Sequence, residues 1–329
     1  MKPRTPRPAG FTLVEILMVV LIMGMLMTLL TVAVQFAIKA AKRAAIKVEI
    51  SQLDAAMQSL STKLGGEYPP CMAPQIASAT PDRVVQFNRM LRKRFPRSTQ
   101  DYAAANTIFT STWGPVHGGV NLSLNTMDAA EALVFWLAGP PAPLSVGSST
   151  ILYGFSGNAT SPFAPTGARE PSAYAFDEAR LTDADNDGWP EYTPPGVTAM
   201  VNVAPYVYFD AANYQYSASG NTYVPCYPGS AFPITGGAPN LAFTAAWGYA
   251  VPYADNVSST VTAWNPKKFQ IVCAGLDSEY GAGPSDGGAR PSLPVVPKTG
   301  STAVQVLLQG DWDNQVNFID TVLEDQVGQ

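Results

Sequence analysis

The hydrophobic and polar positions divide this chain into a long apolar segment near its N-terminus and a turn-rich remainder. From Phe11 to Ile38 the only charged residue is Glu15, so residues 16–38 form a run of 23 uncharged positions. As a helix this run is about 35 Å long, which is enough to cross a bilayer. A cleaved secretory signal has a shorter apolar region, of roughly 7–15 residues, followed by its cleavage site. The pattern therefore predicts a membrane-spanning helix over residues 11–38.

Behind the span, the pattern changes to that of an amphipathic helix. Apolar residues recur at steps of four and three: Ile46, Ile50, Leu53, Met57, Leu60 and Leu64. This spacing places them on one stripe of a helix. Gly65-Gly66 ends the pattern, and two prolines follow. We expect one unbroken helix over residues 11–64, whose part 39–64 packs on a globular domain formed by residues 65–329.

Glu15 does not fit a plain membrane anchor. A carboxylate in a spanning segment is costly, and such residues are usually paired or functional. The positions three and four residues further on are Met18 and Val19, so the helix offers no cation there. We expect the partner to come from elsewhere. Cleavage after Gly10 would create one, the free α-amino group of Phe11 in a neighbouring subunit.

These residues carry a family resemblance. A basic leader, then Gly10, then Phe-Thr-Leu-Val-Glu and an apolar helix resembles the class III signal of type IV pilins and type II secretion pseudopilins. The resemblance implies that a prepilin peptidase removes residues 1–10 and that Phe11 becomes N-methylated. It also implies that Glu15 neutralises the N-terminus of a neighbour, and that the helix associates with itself and with other pilin-like subunits. Gly24 stands where family members often carry a glycine, and small residues favour close helix packing in membranes. The helix-kinking proline common in the family is absent, because valines stand at the corresponding positions.

The charges around the span do not give its orientation. Lys39, Lys42, Arg43 and Lys47 follow the span and outnumber the cations of the leader. The positive-inside count therefore does not place the N-terminus in the cytoplasm. The resemblance implies that it does lie there before processing, that the helix is held in the inner membrane, and that the globular domain is periplasmic or extracellular.

Residues 65–329 have the composition of a domain with short strands and many turns. Nearly all of the chain's 29 prolines and 27 glycines lie beyond residue 64. Helices are predicted at 82–94 and at about 128–138, the second capped by Asn125-Thr126. Strands are predicted at 204–211, 241–253, 269–277 and 303–311. Without alternating helices these strands favour an antiparallel sheet, so the predicted fold is α+β and pilin-like, a long helix laid across the sheet.

The helix at 82–94 raises the question of nucleic-acid binding, because Arg89, Arg92 and Lys93 are among its many cations. The net charge of the chain is −5, and it falls to about −8 without the three cations of the leader. An acidic protein without an aromatic platform beside its cations does not favour nucleic-acid binding. We interpret these cations as a solvated helix face.

The segment Thr-Asp-Ala-Asp-Asn-Asp-Gly is a candidate metal site. It places Asp183, Asp185 and Asp187 on alternate positions before a glycine, and Glu191 follows as a possible further ligand. Calcium takes six to eight oxygen ligands, and carboxylates at this spacing suit it. The twelfth position is a proline, so the segment is not an EF-hand. A solvated acidic turn is the alternative interpretation.

A second candidate metal site is implied by the resemblance alone. The segments Phe-Gln-Ile-Val-Cys-Ala-Gly-Leu-Asp and Gly-Asp-Trp-Asp are similar to the final strands and acidic loop of the major type II secretion pseudopilin, which bind calcium in that family. The acidic residues of this region are Asp277, Glu279, Asp286, Asp311 and Asp313. An insertion over 281–302 separates the two segments, and the sequence does not select the ligands.

The remaining chemistry in the sequence is sparse. Three distant cysteines, Cys71, Cys226 and Cys273, permit one disulfide or none. His117 is the only histidine, and a lone histidine in a glycine-flanked loop is more often structural than catalytic. No nucleophile elbow, phosphate-binding loop or zinc-protease motif occurs. We therefore expect no enzyme.

The sequence favours a structural, pseudopilin-like subunit of a type II secretion or type IV pilus filament. Two alternatives remain open at this point. One is a membrane-anchored, calcium-dependent binding or adhesive domain that does not polymerise. The other is a minor pilin of a DNA-uptake system.

Overall fold

A computed structural model describes most of the chain. The described residues are 12–72, 81–116, 118–146, 151–197, 203–211, 247–248, 250, 252–257, 261–281, 295–297, 307–320 and 322–323. The chain divides into two compact units, Met1–Ala44 and Ala45–Gln329.

Four α-helices lie in the described part of the chain. They are α1 (Leu13–Lys63), α2 (Pro81–Arg94), α3 (Tyr102–Thr107) and α4 (Ala129–Ala138). The expectation of one unbroken helix is confirmed, since α1 runs for 51 residues and ends beside Gly65 and Gly66, which both have positive φ. All six residues of the apolar stripe are buried. The predicted helix at 82–94 is also confirmed.

The strands are short and antiparallel. They are β1 (Leu181–Thr182), β2 (Glu191–Tyr192), β3 (Val207–Asp210), β4 (Ala254–Val257), β5 (Val261–Ala263), β6 (Phe269–Cys273) and β7 (Gln315–Val316). Strand β6 is central in a three-stranded sheet between β3 and β7, with Val272 opposite both Val207 and Val316. The pairs β1–β2 and β4–β5 form two separate hairpins. The α+β prediction, a long helix in contact with antiparallel sheets, is confirmed.

Side chains of α1 tie its second half to the region of β7. The ammonium group of Lys47 donates to the carbonyl of Val316 at 3.0 Å and to that of Ile319. Asn317 donates from its amide to the Asp54 carboxylate at 2.7 Å. These polar contacts flank the apolar stripe and fix the helix in one register on the domain.

A buried carboxylate of α1, Glu49, forms a second attachment. The hydroxyls of Tyr192 and Tyr206 donate to it at 2.9 and 2.8 Å, and that of Tyr174 at 3.4 Å. The Arg180 guanidinium donates to both of its oxygens, at 2.9 Å from Nη1. Glu49 lies three residues after Ile46 and so on the side of the apolar stripe, which is the signal in the sequence for its burial.

Two predicted elements differ from the structure. The cap of α4 is Asp128, because its carboxylate accepts from the Ala130 and Glu131 amides, so the cap predicted at Asn125-Thr126 is wrong. The described part of the strand predicted at 303–311 is a turn, which the Asp311 carboxylate closes by accepting from the Leu308 amide at 2.9 Å. The strand predicted at 241–253 lies largely outside the described residues, whereas β3 and β6 confirm those predicted at 204–211 and 269–277.

The core of the domain is aromatic and centres on α4. Every residue of this helix is buried, as expected from a segment that is apolar on all sides. Phe135 packs edge-on against Trp189 with ring centroids 5.6 Å apart, and Phe109 packs against the same indole at 5.3 Å. Trp189 follows the acidic turn between β1 and β2, so this packing brings that turn to the start of α4.

Candidate functional site

The first described turn of α1 contains a capping box. The backbone amide and the hydroxyl of Thr12 donate to Glu15 Oε2 at 2.8 and 2.9 Å, and the Glu15 amide donates to the Thr12 hydroxyl at 3.3 Å. These reciprocal bonds satisfy amide groups that a helix N-terminus leaves without partners. Glu15 Oε2 thus has neutral hydrogen-bond donors within its own chain, and the charged partner expected from a neighbouring subunit stays a prediction. None of these contacts uses Oε1. Gly10 and Phe11 lie outside the described residues.

The first half of α1 exposes its apolar side chains on all sides. The large apolar residues from Leu13 to Ile38 are all exposed. Among the helices within the described ranges, α1 alone has the length and hydropathy to cross a membrane, with a mean hydropathy of 2.7 over its most apolar 18 residues. A Cβ added at Gly24 would meet no atom within 4 Å, so this position leaves room for a close neighbour.

The acidic turn between β1 and β2 is ordered by its own backbone. Asp183 Oδ2 accepts from the Gly188 amide at 3.1 Å, Asp185 Oδ1 from the Asp187 amide at 3.3 Å, and Asp187 Oδ1 from the Trp189 amide at 2.9 Å. Gly188 has a φ of +93°, and a Cβ there would lie 2.8 Å from Val116 Cγ2. Only glycine fits this conformation and this close approach.

The start of α4 adds two carboxylates that the sequence analysis did not assign. Glu131 Oε2 accepts from the Asp128 amide at 2.8 Å, which completes the capping box of this helix. The fold places Asp128 and Glu131 beside Glu191, and Glu131 also beside Asp185 and Asp187, in two groups whose ligand atoms lie within 4.8 Å of one another. Asp183 belongs to neither group. The Asp-x-x-Glu spacing signals a cap in the sequence, but it contains nothing that points to the acidic turn.

We call these six residues the acidic cluster: Asp128, Glu131, Asp183, Asp185, Asp187 and Glu191. Burial raises the pKa of Glu131 and of Glu191 well above the usual range, and the neighbouring carboxylates add to the effect. The pKa of Asp185 rises to about 8, first because of burial and then because of Asp187 and Asp128. The cause in each case is that a carboxylate loses hydration without gaining an opposite charge.

The atoms of the acidic cluster fit a hard cation. Four buried oxygens have no hydrogen-bond partner among the described residues: Asp183 Oδ1, Asp187 Oδ2, Glu131 Oε1 and Glu191 Oε1. Glu131 and Glu191 are 1% and 0% exposed. Carboxylate oxygens suit calcium or magnesium, and the cluster has neither the imidazoles nor the thiolates that softer metals prefer.

The carboxylates of the second predicted metal site, Asp277, Glu279, Asp311 and Asp313, do not come together as those of the acidic cluster do. Asp311 Oδ1 accepts from the Tyr253 hydroxyl at 2.9 Å and from the Gly281 amide at 3.3 Å, so protein donors already occupy it. Asp313 Oδ2 accepts from the Leu276 amide at 2.6 Å, and Asp277 accepts from the amide of Glu279 at 2.9 Å. No group of three carboxylates comes within 4.8 Å among the described residues of this region. Asp286 lies outside them.

The other candidate residues have structural surroundings. Glu67 pairs with Lys93 at 2.8 Å and with Arg89 at 3.3 Å, which reduces the basic character of the α2 face. Cys71 and Cys273 are buried thiols, so a disulfide between these two is absent. Cys226 and His117 lie outside the described part of the chain.

Comparison with known proteins identifies the N-terminal segment. A protein-family model described as the prokaryotic N-terminal methylation motif matches residues 6–31. No curated protein and no solved structure matches the chain. The matched segment contains the predicted cleavage position, Glu15 and Gly24, and it leads into the exposed apolar half of α1. Residues 6–31 therefore carry the N-terminal methylation motif, the class III signal, of the type IV pilin and pseudopilin family.

Proposed function

We propose that this protein is a structural, pseudopilin-like subunit of a type II secretion or type IV pilus filament. A prepilin peptidase cuts it between Gly10 and Phe11, and the new N-terminus is methylated. The mature helix stays in the inner membrane, and residues 65–329 form the periplasmic or extracellular part. Subunits then assemble with copies of themselves and with other pilin-like proteins through the helix.

The observation that carries this proposal is the difference in burial between the two halves of α1. Residues of its second half are buried in their own domain, whereas the apolar residues from Leu13 to Ile38 are all exposed. Such a surface needs lipid or other helices around it. The inner membrane supplies the lipid before assembly, and a filament core built from the same helix of neighbouring subunits supplies the other helices.

Glu15 supports the proposal through its second oxygen. Because the Thr12 contacts use Oε2, Oε1 can accept from the amino group of a neighbour's Phe11 while the capping box stays intact. The negative charge of Glu15 and the capping box that it forms with Thr12 can be removed separately by mutation. Glu15→Gln keeps an oxygen for the Thr12 amide but removes the charge, and Thr12→Val keeps the charge but removes the hydroxyl. We expect Glu15→Gln and Glu15→Ala to impair assembly and Thr12→Val to assemble normally; normal assembly of Glu15→Gln would refute the ionic role.

Crosslinking in membranes tests the assembly itself. Val20 is 62% exposed on the apolar half of α1, and Val85 is 60% exposed on α2. In cells with the matching assembly machinery, we expect Val20→Cys to give intersubunit crosslinks, and Val85→Cys and the parent chain to give far fewer. Processed protein without crosslinks at Val20→Cys would favour a membrane-anchored binding domain that does not polymerise.

The DNA-uptake alternative has less support. Two of its candidate cations, Arg89 and Lys93, already pair with Glu67. Duplex DNA would have to displace this carboxylate to reach them.

We also propose calcium as the cation of the globular domain. The donor set of the acidic cluster consists of carboxylates from two separate elements, and calcium accepts such ligands at variable number and angle, whereas magnesium demands a near-ideal octahedron.

A further inference from the structure

The hairpin β1–β2 connects two parts of the domain that are distant in sequence. The turn of the hairpin carries Asp185 and Asp187 to the start of α4, where Glu131 lies. The base of the hairpin carries Tyr192, and Arg180 directly precedes it; both contact Glu49 of α1. The hairpin itself has two residue pairs, Leu181 with Tyr192 and Thr182 with Glu191.

Carboxylates of the turn face the carboxylate of Glu131 where the turn meets α4. One oxygen of each turn aspartate accepts from a backbone amide of the turn, so the turn does not need α4 to keep its shape. Among the described residues, none of the carboxylates of Glu131, Asp185, Asp187 or Glu191 takes part in an ion pair. Once they ionise, carboxylates at this spacing repel one another across the contact between the turn and the helix.

Two fully buried side chains point to a missing partner. Glu131 and Glu191 are 1% and 0% exposed, and Oε1 of each has no hydrogen-bond partner among the described residues. Both residues belong to the groups of carboxylates whose ligand atoms lie within 4.8 Å of one another. A buried carboxylate oxygen without a donor is rare unless an ion or an ordered water completes it.

We propose that one divalent cation of the calcium class binds between α4 and the β1–β2 turn, with Glu131 as the ligand that joins both sides, and that this cation holds the hairpin in the position from which Arg180 and Tyr192 grip Glu49. Carboxylates of the turn and Glu191 complete its oxygen ligands. The cation thus couples the globular domain to its long helix. This inference rests on the calcium binding proposed above, but not on filament assembly.

The coupling follows from the position of the hairpin between the acidic cluster and Glu49. A two-stranded ribbon of two residue pairs is not stable alone and depends on its attachments. Trp189 anchors the end of the turn by packing on Phe135 of α4. The polar contact of the turn with α4 consists of carboxylates, and the base of the hairpin contacts α1 through Glu49. If the cation leaves, the turn keeps the Trp189 packing but loses the charge that joins its carboxylates to Glu131, and the contact of Arg180 and Tyr192 with Glu49 loosens through the same short strands.

Calcium titration of the full chain in detergent micelles tests the site. After chelation, we add CaCl₂ and measure binding by calorimetry, with MgCl₂ as the comparison ion. Glu131→Gln and Asp185→Asn replace ligands by near-isosteric amides, and Asp320→Asn neutralises an exposed carboxylate as the control. We expect the first two variants to weaken calcium binding by roughly tenfold or more, because even outer-shell changes cost about 10–100-fold, and the control to bind as the parent does.

Hydrogen exchange of the same samples tests the coupling. We expect calcium to slow amide exchange in residues 178–195 and also in residues 46–60 of α1. Glu49→Gln breaks the grip but leaves the ligands unchanged, so it should retain calcium binding and protection of 178–195 while it loses the calcium-dependent protection of 46–60. The comparison of parent protein with calcium and with chelator needs no variant, so it is independent of any folding defect.

Three results would overturn the inference. Absence of binding up to about 10 mM CaCl₂, well above the weakest extracellular calcium sites, would exclude the site. Parent-like affinity in Glu131→Gln and Asp185→Asn would place the ion elsewhere, such as near Asp277 and Asp313. Calcium binding that leaves exchange in residues 46–60 unchanged would exclude the coupling. None of these results depends on whether filaments form.

Discussion

Replacement of Glu49 by alanine should strongly destabilise the globular unit. The Glu49 carboxylate receives the Arg180 guanidinium and three tyrosine hydroxyls, and the side chains of Glu49 and Arg180 are only 10% and 13% exposed. Arg180 also stacks on the Tyr192 ring at 4.4 Å and donates to the Thr193 carbonyl at 2.9 Å, which hold its guanidinium in place when Glu49 is lost. The variant leaves this largely buried cation with the more distant carboxylate of Asp177, at 3.4 Å from Nε, as its counter-charge.

The size of the effect follows from this burial. Breaking a buried ion pair by removing one partner costs about 3–5 kcal/mol, whereas an exposed pair contributes about 0–1 kcal/mol. The hydroxyl bonds do not add their full value, because the partners belong to one network. In a unit the size of Ala45–Gln329, about 2–3 °C per kcal/mol converts the loss into a fall of roughly 6–15 °C in Tm. Replacing both partners with Glu49→Leu and Arg180→Met should cost less than the two single changes together, since no charge is left buried.

Thermal unfolding of the full chain in detergent, followed by tryptophan fluorescence, measures this. Calcium is kept saturating so that the acidic cluster does not contribute to the difference. Asp320→Asn is the matched control. It removes the fully exposed carboxylate of the ion pair between Asp320 and Lys47, and it should leave Tm unchanged. A loss below about 1 kcal/mol for Glu49→Ala would refute the reasoning, because it would mean that solvent screens this pair as it does a surface one.

Three further predictions concern processing, packing and pH. Gly10→Glu should leave the leader attached, which mass spectrometry detects as an unshifted N-terminus; normal cleavage would contradict the assignment of Gly10. Gly188→Ala should destabilise the domain by about 1–3 kcal/mol in denaturant unfolding, because its Cβ would lie 2.8 Å from Val116, whereas Gly167→Ala has a similar positive φ but open space and should cost less. Without calcium, stability should fall as pH rises from about 4 to 8, because unfolded Asp185 releases its proton near 3.8 and the folded chain holds it to about 8. Saturating calcium should remove this fall in Tm, and a flat calcium-free profile would contradict the shifted pKa.

Much of the fold follows from local patterns. The stripe that starts at Ile46 predicted the buried face of α1, and two glycines predicted its end, because helical periodicity is a property of neighbouring residues. Strands β3 and β6 were predictable for the same reason, since each contains several consecutive β-branched or aromatic residues. The two-residue strands β1, β2 and β7 were not, because two residues are too few to show a period. The turn at Gln309–Asp311 was mistaken for a strand because its shape depends on a side chain that accepts from the backbone.

By itself, the sequence determined the class III signal, the long apolar segment and the acidic turn, since each consists of consecutive residues whose chemistry does not need the rest of the chain. Only the tertiary structure decided which side chains meet these elements. Glu131 lies more than fifty residues before Asp185, and Glu49 lies more than a hundred before Arg180 and Tyr192. No local pattern links such residues, because what brings them together is the burial of the aromatic core around α4 and of the apolar stripe of α1. The carboxylates then share one site because both elements that carry them pack on that core.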